Sequence, residues 1–135
     1  MATLTEFFCT PARESRSAWS VINWWESRRV VYNLSVGAAG LVSVMAIMLS
    51  TVLPPHAQRL TFAWQPIVVY AVLANLCYSL GPAIDLFVRR RWGERYAPVG
   101  PALFRYGFAF SMGLTLLPIP LAVVSWVARV ISVLA

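Results

Sequence analysis

Four polar or special residues, Asn75, Tyr78, Pro82 and Asp85, recur at steps of three, four and three. On a helix they share one face, with Ala71 one turn above. Asn75 in an apolar helix calls for a hydrogen bond to a neighbouring helix, worth roughly 1 kcal/mol or less in a bilayer. Asp85 precedes a run of arginines. It can pair with Arg89 one turn on, or with Arg105 across the following loop. Such a stripe fits two chemistries. One is a helix–helix seam closed by an ion pair, and the other is a small substrate or quinone pocket around Asn75, Tyr78 and Asp85. The seam is the expected use.

Other reactive residues are sparse. The one histidine, His56, stands beside Pro55 in a short polar connection and reads as a solvated loop residue. Haem and pigment subunits usually hold a histidine inside a span. Cys9 and Cys77 form no CxxC motif and read as two unpaired thiols. The sequence has no Ser/His/Asp set, no metal-ligand spacing and no phosphate-cradling glycine loop. No catalytic, cofactor-binding or metal residue is therefore assigned.

The elements that must position these residues follow from composition. Of 135 residues, 59% are hydrophobic and only 12% are charged. Soluble domains run near 45–50% and about 25%. The mean hydropathy of +0.68 points the same way. A bilayer is the expected solvent. The net charge of +6 would suggest nucleic acid in a soluble protein. Here the basic residues flank apolar runs, so no nucleic-acid partner is expected. All 11 basic residues are arginine, a bias that fits a high-GC bacterial source and hence a bacterial inner membrane.

The expected fold is all-α, with about three transmembrane helices after an N-terminal interfacial amphipathic helix. The first span covers about 30–53 and ends at Pro54-Pro55. The second covers about 60–80, with Pro66 in its first turns; Gly81-Pro82 then breaks it, or kinks it toward Arg89. The third covers about 106–128, and Pro118 and Pro120 near its middle should kink it. The alternative splits this run into a re-entrant hairpin. Residues 1–29 form a cytoplasmic segment and 30–135 the membrane domain. No cleaved signal is expected, because charged residues interrupt the first 29 positions.

Within 15–29, Ala18, Val21, Ile22 and Trp25 share one side of a helix, and Arg16, Ser20, Asn23 and Ser27 the other. Trp19, Trp24 and Trp25 suit the headgroup layer. Arg28 and Arg29 suit lipid phosphates, as do Arg89, Arg90 and Arg91 beside Trp92. Nine arginines lie before span one or after span two, against two elsewhere. The N-terminus is then cytoplasmic and the C-terminus periplasmic.

Small residues mark candidate packing seams. Ser35, Ala39 and Ser43 recur every fourth residue, with Gly37 and Gly40 alongside. Gly107 and Ser111, and Ala109 and Gly113, repeat the step. These rows either pack the three spans together or face a partner subunit.

The stretches Trp24–Asn33, Ala74–Asp85 and Arg105–Pro118 resemble patterns in small uncharacterised bacterial membrane proteins. That resemblance spans most of the chain and implies no activity. The central regions of the spans hold no ionisable residue, which disfavours proton-coupled export. The expected function is a non-catalytic accessory subunit of a larger respiratory or photosynthetic membrane complex, with structural lipids and other integral membrane subunits as partners. The alternative is a small self-associating transporter or channel, for which Asn75, Tyr78 and Ser111 are the pore candidates.

Overall fold

The computed structural model describes residues 17–55, 63–92 and 99–134. The expectations placed on Cys9, Arg16 and His56, and three of the arginines counted for orientation (Arg13, Arg59 and Arg95), lie outside the described residues. Four helices follow in order: α1 (Ala18–Val52), α2 (Gln65–Trp92), α3 (Gly100–Leu116) and α4 (Pro118–Leu134). Among the described residues there is no strand. Helices α1, α2 and the α3–α4 pair are each long and apolar enough to cross a membrane. The chain is a multi-pass helical membrane protein.

Helix α1 corrects the expectation of a separate N-terminal interfacial helix. Its 35 residues form one helix with no break between an interfacial part and a span. Ser17 caps it, its hydroxyl accepting from the Ser20 amide at 3.3 Å. At 1.5 Å per residue α1 is about 52 Å long, against a hydrocarbon core of about 30 Å. The reason for continuity lies in its buried face. Val21, Trp25, Arg28, Tyr32, Val36, Ala39 and Ser43 are the buried positions. They follow steps of four, three and four, twice over. This 11-residue period is about 3.67 residues per turn, close to the helix's own, so one face stays aligned along the whole bundle. Trp25 and Arg28 belong to that face and not to a lipid-facing segment.

Helix α2 runs beyond the expected end at Leu80. It contains Pro82 and continues to Trp92. The α3–α4 pair is likewise longer than expected, and it is a span and not a re-entrant hairpin. Leu117, between the two helices, keeps helical dihedrals (φ −53°, ψ −36°), and its amide bonds the Gly113 carbonyl at 3.0 Å. A reversal would require this residue to leave the helical region. Pro118 and Pro120 remove two backbone donors without turning the chain back.

Helix α1 is the hub and packs on the other three; α2 also touches α3. At the far end of the bundle, α4 closes the C-terminus of α1. The Trp126 indole donates to the Pro54 carbonyl at 3.0 Å, and the Arg129 guanidinium donates to the Ser50 carbonyl. The last carbonyls of a helix lack intrahelical partners and carry the negative end of its dipole, so a cation there is well placed.

Lipid is as apolar as leucine, so close packing and hydrogen bonds must hold these helices together. Ser43 is one such tie, its hydroxyl donating to the Thr115 carbonyl at 2.6 Å. Ser43→Ala should lower stability by roughly 1 kcal/mol in a denaturing-detergent titration. The Ser50 hydroxyl bonds Ile47 in its own helix at 2.7 Å. Ser50→Ala should therefore stay within about 0.5 kcal/mol.

Candidate functional site

Trp25 joins all three spans. Its side chain is 2% exposed and its indole N–H donates to Asp85 Oδ2 at 3.1 Å. Its backbone carbonyl accepts from the Tyr78 hydroxyl at 2.6 Å. Edge-on ring contacts join it to Tyr78 at 5.6 Å and Phe104 at 6.0 Å between centroids. One side chain of α1 therefore meets α2 and α3 together.

Two glycines make room for this arrangement. A Cβ on Gly81 would lie 2.4 Å from the Trp25 ring, and one on Gly100 would lie 2.6 Å from Asp85 Oδ2. Gly81 lets the indole lie against α2. Gly100 lets the start of α3 approach the Asp85 carboxylate.

A second layer lies two turns deeper on α1. The Tyr32 hydroxyl bonds Ser111 Oγ at 2.9 Å and the Ala74 carbonyl at 3.3 Å, and its ring lies 4.7 Å from that of Tyr78. Below it the Tyr70 hydroxyl bonds Thr115 Oγ1, which in turn donates to the Ser111 carbonyl. Polar groups from all three spans are thus collected along one internal line.

Beside this line a cleft of about 240 Å³ opens between α2 and α3. Trp25, Tyr32 and Tyr78 lie on its inner side; Cys77 and Gly81 line it from α2, and Phe104, Gly107 and Ser111 from α3. Leu80, Ile84, Tyr106 and Phe110 form an exposed apolar rim. The arrangement presents an aromatic hollow whose inner hydroxyls, those of Tyr32, Tyr78 and Ser111, are already bonded within the bundle. Among the described residues no group of three histidine, cysteine or acidic residues could hold a metal.

The structure places the expected residues as follows. Tyr78 and Asp85 do join the seam, but by different bonds from those expected. Asp85 accepts from Trp25 and forms no ion pair with Arg89 or Arg105. Arg89 instead reaches across to the Ser17 carbonyl at 3.3 Å. Asn75 makes no interhelical bond, since its amide donates to the Ala71 carbonyl of its own helix at 3.0 Å.

Of the small residues, Ala39 and Ser43 are buried, with Ser35 and Gly40 half-buried against them, so this row packs inside the chain. Gly37, Gly107 and Gly113 do not. A Cβ on any of them would meet nothing within 4 Å.

The aromatic and basic anchors also divide. Trp19 and Trp92 remain exposed, as do Arg90 and Arg91. Trp24 is half-buried, 6.1 Å from Phe104, and carries the Arg28 guanidinium 3.8 Å above its ring. Arg28 is buried and donates to the Trp24 carbonyl at 3.2 Å. Arg29 pairs with Glu26 at 3.0 Å and reaches Ser79 at 3.4 Å. Trp24, Trp25 and Arg28 are therefore engaged inside the bundle, and Arg29 reaches α2 at its surface. A helix face that looks amphipathic serves helix packing as well as a headgroup layer.

Sequence reasoning missed Tyr32, Tyr70, Phe104, Thr115 and the two close-approach glycines. The repeated 4-3-4 spacing on α1 was the available signal for Tyr32.

No known protein family, curated protein or solved structure matches the chain.

Gly81→Val should destabilise by about 1–3 kcal/mol, the usual cost of overpacking, because the indole has no room to withdraw. Gly113→Ala should be neutral within about 0.5 kcal/mol, since its Cβ enters open space. Thermal unfolding of both variants in one detergent checks the pair.

Proposed function

We propose that the chain is a non-catalytic accessory subunit of a larger bacterial inner-membrane complex, held among partner helices and lipid. One observation carries this reading. The polar side chains between the helices, Trp25, Tyr32, Ser43, Tyr70 and Tyr78, are spent on internal hydrogen bonds, whereas the outer faces of the helices remain uncovered. Helix α2 has a single buried residue, Tyr78, in 28, and α4 a single one, Ala122, in 17. Leu73, Leu76, Leu121 and Val124 are among the large apolar side chains left more than half exposed. Such faces are suited to hydrocarbon and other helices, not to water.

The same accounting weakens the transporter alternative. A pore needs polar groups turned toward a lumen. Tyr78 and Ser111 bond within the bundle, and Asn75 bonds its own helix.

Extraction in mild detergent followed by native mass spectrometry tests the role. The expected result is co-purification with other membrane subunits at fixed stoichiometry. A homogeneous homo-oligomer, or a bare monomer, would sink it. The orientation is proposed from the arginine count, with the N-terminus cytoplasmic. Alkaline phosphatase fused after residue 134 should then be active, and fused within 93–98 inactive. The reverse pattern would overturn the orientation.

A further inference from the structure

We propose that the cleft between α2 and α3 is a binding site for one acyl chain of an anionic phospholipid, whose phosphate is met by Arg91. The inference rests on the membrane-embedded role above and names a ligand for it.

The hollow is real on the α3 side and fixed on its floor. Gly107 lines it, and a Cβ built there would meet nothing within 4 Å. The floor is the Trp25 indole, held by Asp85 and wedged against Gly81. The opening faces outward between two spans, where Tyr106 is 77% and Phe110 71% exposed. Apolar hollows do not hold water well. At membrane depth the material at hand is hydrocarbon.

The polar atoms on the inner side of the hollow decide against a ligand that inserts a polar head there, the Tyr106 hydroxyl lying on the exposed rim. The Tyr32 hydroxyl is bonded to Ser111 and Ala74, and the Tyr78 hydroxyl to Trp25. A quinone ring entering the cleft would displace one of these bonds. A hydrocarbon chain displaces none.

Charge selects the head group. Leu80, Ile84, Val88 and Arg91 follow at steps of four, four and three along α2, so Arg91 continues the face that carries the rim. Arg91 is exposed. It lies seven residues beyond Ile84, an axial rise of about 10 Å. The headgroup layer is about 5–7 Å deep per leaflet, and a flexible arginine side chain spans the remainder. A chain seated at Ile84 thus brings its own phosphate within reach of Arg91.

The full chain is reconstituted in nanodiscs of equal phosphatidylglycerol and phosphatidylcholine. It is then released into detergent, and the lipids it retains are read by native mass spectrometry. The wild type should retain one phosphatidylglycerol with a roughly fivefold preference over phosphatidylcholine, the value of one arginine near an anionic surface. Gly107→Leu fills the hollow and should abolish retention of both lipids, with unchanged circular dichroism. Arg91→Gln should retain lipid but lose the preference. Retention unaffected by Gly107→Leu would overturn the proposal, as would equal retention of the two lipids by the wild type. So would release of a second protein chain, not a lipid, by Gly107→Leu. If Gly107→Leu fails to fold, Gly107→Ala and Gly107→Val carry the same test in graded form. Absence of partner subunits after mild-detergent extraction from the native membrane would sink the accessory role and leave the lipid site standing.

Discussion

The hydrogen bond from the Trp25 indole to Asp85 organises the rest of the bundle. It joins a large ring on α1 to a carboxylate on α2, and both need a glycine to fit. Gly81 admits the ring and Gly100 admits the carboxylate. Tyr78 adds a second tie by donating to the Trp25 carbonyl, and Phe104 closes the cluster from α3. Remove the indole and three helices lose the upper of two shared contacts, the other being the Tyr32 hydroxyl on Ala74 and Ser111. Its position explains why α1 cannot be divided into a surface helix and a separate span.

The surrounding solvent sets what such a cluster is worth. In water, burying these rings would itself drive folding. In lipid that drive is missing, and helices associate through packing and polar contacts. The protein accordingly places Trp25, Tyr32, Tyr70, Tyr78 and Thr115 on one internal line and turns most of its leucines and valines outward, Val21 and Val36 excepted. The aromatic residues give the line its bulk, and their hydroxyl and indole groups find partners in the neighbouring helix. The two ends are then tied separately. Arg89 meets the Ser17 carbonyl at one, and Trp126 and Arg129 meet the Pro54 and Ser50 carbonyls at the other.

Much of this was legible beforehand. Three spans follow from the lengths of the apolar runs, and Ser43 from its place in a small-residue row. The stripe Tyr78–Asp85 was also readable as a seam. The partners were not. Asp85 has two arginines within a plausible distance along the chain, yet it bonds a tryptophan sixty positions away. Asn75 looked suited to cross between helices but bonds locally. Spacing states which residues share a face of one helix and is silent on which face of the next helix meets it. Trp24, Trp25, Arg28 and Arg29 illustrate the same gap, because an aromatic–basic face suits a headgroup layer and a helix interface alike.

The sequence by itself determined that this is a helical membrane protein, where its spans fall within a few turns, and that arginine clusters about their ends. Those properties depend on local composition, which every residue carries with it. The tertiary structure alone decided that α1 is continuous, that Leu117 carries the third span through its prolines, and that Gly81 and Gly100 are sites of close approach. It also decided that Gly37, Gly107 and Gly113 face outward while Ala39 and Ser43 face in. A glycine's value lies in what stands opposite its missing Cβ, and that is a property of the neighbouring helix.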